Sequence, residues 1–172
     1  MSELDELREA VGALTKRVQE LEDQVGLAQL VARYGPAVDS GSADAAVALW
    51  SDDGVFDVGP VGVWTGREIG GMVEGPGHQA LVHNGVGHVL TAPLVVVDGD
   101  RAHGWNYAFN IRYDHEADRF WIARLSANTW EWRREPGGWR TVRRVNRNLD
   151  GSEEPRSMLG TSVDATLPPA HG

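Results

Sequence analysis

Few side chains in this 172-residue chain are placed to exchange protons. Asp39 closes the helical stretch "LVARYGPAVD", five residues after Tyr34 and three after Pro36. The macrodipole disfavours a carboxylate near a helix C-terminus. Asp39 therefore needs a compensating partner. A protonated histidine is one, and a capping role towards the turn at Ser40–Ser42 is another. On an unbroken helix, positions five apart point about 140° away from each other. Pro36 removes a backbone donor and crowds the preceding turn, so Tyr34 and Asp39 can converge on one site. A carboxylate beside an imidazole fixes the ring's tautomer and orientation. The other ring nitrogen can then take a proton from carbon, or return one to a leaving group.

His78, His83 and His88 are spaced evenly by five. Zinc sites use i, i+4 on helices or alternate residues on strands, so no metal is expected. His78 and His115 are expected in exposed turns, and His171 in a tail. The chain has no cysteine, which removes disulfides, thiol catalysis and cysteine metal sites. No glycine-rich phosphate loop, dinucleotide fingerprint or G-x-S-x-G elbow is present, so no cofactor is expected. A net charge of −9 argues against a nucleic-acid partner. Lys16 is the only lysine, and ten arginines fall between Arg101 and Arg147, interleaved with Trp130, Trp132 and Trp139. This pattern reads as a sheet face whose arginines pair with acids. No apolar run has the length of a membrane span, and the acidic start "MSELDELREAV" is unlike a signal peptide. A cytoplasmic protein with no membrane partner is expected.

Three segments must position these groups. Over residues 1–25, Leu7, Leu14 and Leu21 repeat every seven residues, between Leu4, Val11, Val18 and Val25. This is an a/d seam, and it predicts a heptad helix and a homo-oligomer, dimer or trimer. Gly26 marks a junction. Residues 26–149 form the domain: a helix to Asp39, a short helix over 43–50, a small hairpin around "VFDVG", and a glycine-broken helix over 67–84. A long antiparallel meander follows, with a hairpin turn at Asp98-Gly99. Residues 150–172 read as a loose polar tail. Helices segregated from an antiparallel sheet mean α+β, here a curved sheet wrapping an apolar pocket. Trp50, Phe56, His83, Tyr107, Asn110 and Asn128 are the candidate substrate-binding side chains.

The stretches "LVARYGPAVDSGSADAAVALWSDDGVFDVG", "GHVLTAPLVVVDGDRAHG" and "GGWRTVRRV" resemble the SnoaL-like branch of the NTF2-like superfamily. The resemblance implies a cone-shaped fold over roughly 26–149. Members such as scytalone dehydratase, hexachlorocyclohexane dehydrochlorinase and bile-acid 7α-dehydratase place an Asp–His pair inside the cone. Asp39 and His88 match those places. Tyr34 matches a tyrosine five residues before the acid, and Arg144 an arginine on the last strand, with Arg143 one step away. His103 lies near the position of a second pocket histidine. Arg112-Tyr113-Asp114 has the spelling of an epoxide-hydrolase Arg-x-Asp pair but reads as turn chemistry. The resemblance implies a cofactor-independent lyase, a dehydratase or dehydrohalogenase, acting on a small hydrophobic ring compound with Asp39, His88, Tyr34 and Arg144 as catalytic residues. A double-bond isomerase or cyclase using the same pair, and a non-catalytic module that binds a hydrophobic ligand, are the alternatives.

Overall fold

The computed structural model describes residues 2–165. Helix α1 runs unbroken from Glu3 to Asp39. Ser2 caps it: its hydroxyl accepts from the Asp5 amide, and Asp5 reaches back to the Ser2 amide. Gly26 does not divide the helix, as the sequence suggested, because α1 gains its stability beyond that point from packing. Leu27, Leu30, Val31, Tyr34 and Val38 are buried on one face, while the seven heptad residues from Leu4 to Val25 are all more than half exposed. The helix stops three residues after Pro36, where Ser40 bonds the Pro36 carbonyl and Gly41 turns the chain at φ +70°.

Helix α2 (Ala43–Val47) leads into the hairpin of β1 (Trp50–Asp57) and β2 (Val63–Thr65). The glycine-broken helix is two helices, α3 (Glu68–Glu74) and α4 (Pro76–His83), because Pro76 starts a new one after the extended Gly75. The segment after it divides at "TAP" into β3 (Val86–Leu90) and β4 (Leu94–Asp98), both antiparallel to the long β5 (Arg101–Asp114). Strands β6 (Arg119–Glu135) and β7 (Gly138–Asn148) complete the meander. The sheet order is β2-β1-β7-β6-β5-β3, with β4 beside β5. It is antiparallel apart from one pair: β1 joins β7 in parallel, since no hairpin links them. Residues 153–163, read from sequence as loose tail, form α5. It buries Pro155 and ties down through Trp105 to Thr161 and Arg147 to Glu154. His171 lies outside the described residues.

The concave face of the sheet packs on α1, α3 and a core that includes Ile69, Val73, Phe56, Trp130 and Trp132. The last two rings stack at 5.8 Å. Asp23 ends the exposed part of α1. Only 6% exposed, it accepts from both terminal nitrogens of Arg134 at 2.8 and 2.7 Å and from the Trp139 indole at 3.0 Å. The Arg134 hydrogen bonds hold its carboxyl below the ordinary aspartate range, against the opposing effect of burial. A depressed pKa gives stability that is present above the unfolded value of about 3.9 and lost as pH falls through the folded one. Asp23→Asn is therefore expected to cost about 2 kcal/mol at neutral pH. In urea denaturation its deficit relative to the native chain should shrink below about pH 4; a deficit independent of pH would rule out the ion pair as its cause.

Candidate active site

Between the sheet, α1 and α4 lies a cavity of about 670 Å³. Phe56, Trp64, Met72, Leu81 and Leu90 form its apolar wall, and Tyr34, His78, His88, Asn110, Arg124 and Arg144 its polar one. The end of α1 and the start of β3 meet here. Gly35 permits this approach, since a Cβ at that position would collide with the His88 carbonyl oxygen. Asp39 then uses both carboxylate oxygens on one residue. Oδ1 lies 2.5 Å from His88 Nδ1, and Oδ2 accepts from the His88 main-chain N–H at 2.7 Å. The His88 side chain is 13% exposed. A carboxylate at Nδ1 selects the tautomer that carries the proton there and leaves Nε2 unprotonated. Nε2 sits on the cavity side, 3.3 Å from the Asn110 amide nitrogen. Asp39 does not take the capping role open to it in the sequence; at this helix end the Ser40 hydroxyl donates to the Ala37 carbonyl.

Tyr34 meets the His88 ring edge-on at 6.5 Å. Burial pushes its phenol pKa up, with the nearby Arg144 charge opposing, so the phenol stays protonated and able to donate. Arg144 is 2% exposed. Its guanidinium lies over the rings of Tyr34, Trp130 and Phe56 at 4.2, 4.4 and 4.8 Å, and its Nε donates to Asn128 at 2.9 Å. Burial lowers its pKa to about 10, which still leaves it charged at neutral pH. Alternation along "WRTVRRVN" could not tell Arg143 from Arg144. A bulge leaves Val142 unpaired, so Thr141 and Arg144 both face inward despite their parity, while Arg143 points out to Asp57.

The other candidates divide. Phe56 and Asn110 line the cavity. Asn128 is buried behind it and holds Arg144 and Asn146. Trp50 lies in the core behind Phe56, at 5.5 Å, rather than in the cavity wall. Tyr107 is 43% exposed, because odd positions of this part of β5 face outward; His103 is exposed for the same reason. His83 is exposed at the end of α4 and bonds its own helix at Gln79. Five residues from His78, it points about 140° away from it. His78 itself is not in an exposed turn. Helix α4 carries it over the cavity, stacked on the His88 ring at 5.7 Å, with neither ring nitrogen hydrogen-bonded. Burial, helped by the neighbouring His88, lowers its pKa. Of the evenly spaced histidines His78 and His88 thus meet while His83 does not, and among the described residues no group of three acids and histidines is placed to hold a metal ion. Asp114 of the Arg-x-Asp stretch caps the turn to β6. His78, Arg112 and Arg124 escaped the sequence reading. The bulge at Ala123, which turns Arg124 inward opposite Asn110, has no signature in local alternation.

Residues 19–145 match the SnoaL-like domain. An NTF2-like protein with a cystatin-like fold from Novosphingobium aromaticivorans is 40% identical, with a TM-score of 0.82 over 85% of this chain and 94% of that one. Two more distant structures share the fold. Hexachlorocyclohexane dehydrochlorinase LinA-type3 from Novosphingobium barchaimii is 19% identical, with a TM-score of 0.60 over 77% of this chain and 90% of that one. A proposed dehydratase of the NTF2-like family from Streptomyces avermitilis is 16% identical, with a TM-score of 0.58 over 74% and 97%. A search of curated proteins returned no match.

The tautomer is directly measurable. Imidazole ¹⁵N spectra at mildly alkaline pH are expected to show His88 protonated at Nδ1, with that preference weakened in Asp39→Asn. An Nε2-protonated ring in the native chain would mean that Asp39 does not set the proton's position.

Proposed function

The chain belongs to the SnoaL-like family of the NTF2-like superfamily, and on that premise we propose that it is a cofactor-independent lyase acting on a small hydrophobic ring compound. One observation carries the reading: Asp39 clamps both the ring and the main chain of His88 and leaves Nε2 towards a largely apolar cavity. The dehydrochlorinase and the proposed dehydratase that share the fold make elimination a chemistry that such a cone can hold.

In the proposed step, His88 Nε2 removes a proton from a ring carbon beside an activating group. The C–H electrons form the new double bond, and the bond to the departing group breaks. The imidazolium is stabilised by Asp39, which does not itself take the proton. Arg144 and the Tyr34 phenol face charge that develops on a carbonyl or leaving oxygen, inside a site where such interactions are strong. When hydroxide departs, the imidazolium returns its proton and water leaves; a halide departs as the anion, and the imidazolium then releases its proton to solvent. No electrons are gained or lost overall, so the reaction requires no redox cofactor. Asp39 is a positioning residue, and His88, Tyr34 and Arg144 are the groups that would touch substrate. Returning the proton to another ring carbon would make the same site an isomerase.

Ring alcohols and ring halides are the substrates to screen for loss of water or halide. On a substrate so found, His88→Ala is expected to lower kcat by about 10²–10⁴-fold, and Asp39→Asn to lower it with little change in KM. Full turnover by His88→Ala would eliminate the mechanism. Deuterium from solvent found in a product of unchanged composition would replace the lyase with the isomerase.

A further inference from the structure

The cavity contains an unbalanced charge. Arg112, Arg124 and Arg144 all line it. None has a carboxylate partner among the described residues, whereas Arg133, Arg134, Arg143 and Arg147 on the same sheet all do. The cavity arginines are held by neutral groups instead. Arg124 donates to Asn146 Oδ1 at 2.7 Å and to Asn148, and Arg144 to Asn128. One terminal nitrogen of Arg144 and Nε of Arg112 are buried with no partner at all. No acid lines the cavity among the described residues, and Asp39 has both oxygens on His88. Arg144 is buried and Arg112 and Arg124 are half-buried, and cations withdrawn from water normally take a fixed counter-ion. We infer that here the substrate supplies it, and that the ring compound carries a carboxylate bound by Arg124.

The register sets where that group lies. His88, Asn110 and Arg124 are consecutive partners across β3, β5 and β6. The strands of His88 and Arg124 are two spacings apart, about 10 Å. A ring with an acid substituent spans that gap, placing its reactive carbon at Nε2 and its carboxylate at the Arg124 guanidinium. This substrate class rests on the reading of the cavity as the substrate site, but its test reads binding alone. Calorimetry with 1-naphthoate and with neutral 1-naphthalenemethanol should show the acid binding tighter by about tenfold or more. Arg124→Gln should abolish the preference and Arg124→Lys keep most of it. Equal binding of acid and alcohol, binding of neither, or a preference that survives Arg124→Gln would each overturn it. An acid preference without turnover of any ring compound would sink the lyase alone; turnover of neutral rings without that preference would sink this substrate class alone.

A separate observation concerns α1. Its seam residues Leu4, Leu7, Val11, Leu14, Val18, Leu21 and Val25 are spaced alternately by three and four, and each is 52–62% exposed. The phase makes Leu4, Val11, Val18 and Val25 the a layer and Leu7, Leu14 and Leu21 the d layer. β-Branched residues at a with leucine at d favour two parallel strands. The flanking charges agree. In a parallel pair, position g of one helix meets e of the next heptad on the other, which sets Glu3 against Arg8 and Arg17 against Glu22, each twice by symmetry. Ala10 against Thr15 is neutral, and no like charges meet. An antiparallel pair, which packs a against d, matches at most Arg8 with Glu22, and that register sets the two Arg17 side chains against each other. At 100° per residue, the buried face of Leu27, Leu30, Val31, Tyr34 and Val38 lies roughly 150° round the helix from the seam, so the chain's own domain leaves the seam open. We propose that a second copy of this chain occupies it, as a parallel two-stranded coiled coil.

The chain lacks cysteine, so a single Leu4→Cys reports orientation cleanly. Oxidised full-length Leu4→Cys should run as a covalent dimer, because an antiparallel pair would hold the two sites about 30 Å apart. Leu14→Asp, at a site exposed in the monomer, should abolish that cross-link and leave the helical signal of the domain intact. A monomer or trimer in sedimentation of the native chain, or no cross-link, would overturn the proposal, as would a cross-link that survives Leu14→Asp.

Discussion

One carboxylate holds together the two parts of the molecule that matter most. Asp39 is the last residue of α1, and His88 lies near the start of the meander. Forty-nine positions separate them, and two hydrogen bonds join them. The bond to the main-chain N–H fixes where β3 passes the helix, and the bond to the ring fixes which way the imidazole faces. Neither would suffice alone: a ring held only at Nδ1 could swing with its strand, and a strand held only by its amide would leave the ring free. Gly35 is the steric condition for both, since any side chain there meets the His88 carbonyl. The acid that a helix C-terminus disfavours is thus kept by a partner that the terminus alone could not supply.

The rest of the polar wall is built from groups that stay charged or stay neutral as required. Guanidinium is delocalised and weakly hydrated, so it tolerates burial better than an ammonium. Arg144, brought down only to about 10, remains a cation among three aromatic faces. Asparagines at 128, 146 and 148 orient these cations without cancelling their charge. Carboxylates in those places would have stabilised the empty cavity at the expense of any anionic ligand.

How much of this was legible depended on whether the determining contact is local. Asp39 stood out as an acid at a helix end, His88 came from the family resemblance, and the fold class followed from helices preceding a meander, whose period and turn chemistry are written in neighbouring residues. Whether Arg143 or Arg144 faces the cavity could not be read, because a bulge at Val142 changes the parity of β7. Arg124 was hidden by the matching bulge at Ala123. His78 was expected in an exposed turn, whereas Pro76 starts a helix whose first turn lies over the site. Tyr107 and Trp50 were chosen for bulk, yet bulk does not say which face of a strand or which depth of a core a ring occupies. The tail became α5 through tertiary contacts to β5 and β7, which no local propensity encodes.

Helix α1 carries two apolar faces that differ in kind. The seam is a narrow stripe of Leu and Val, and the domain face a broader set that includes Tyr34 of the site. They overlap hardly at all along the chain: Asp23, tied to Arg134 and Trp139, marks where one gives way to the other. A 37-residue helix without an internal break is stiff over this length, so the heptads project outward while the last turns remain fixed by the sheet. A partner helix along the seam would then touch no wall of the cavity. Pairing and ligand binding are physically separable, although one helix serves both.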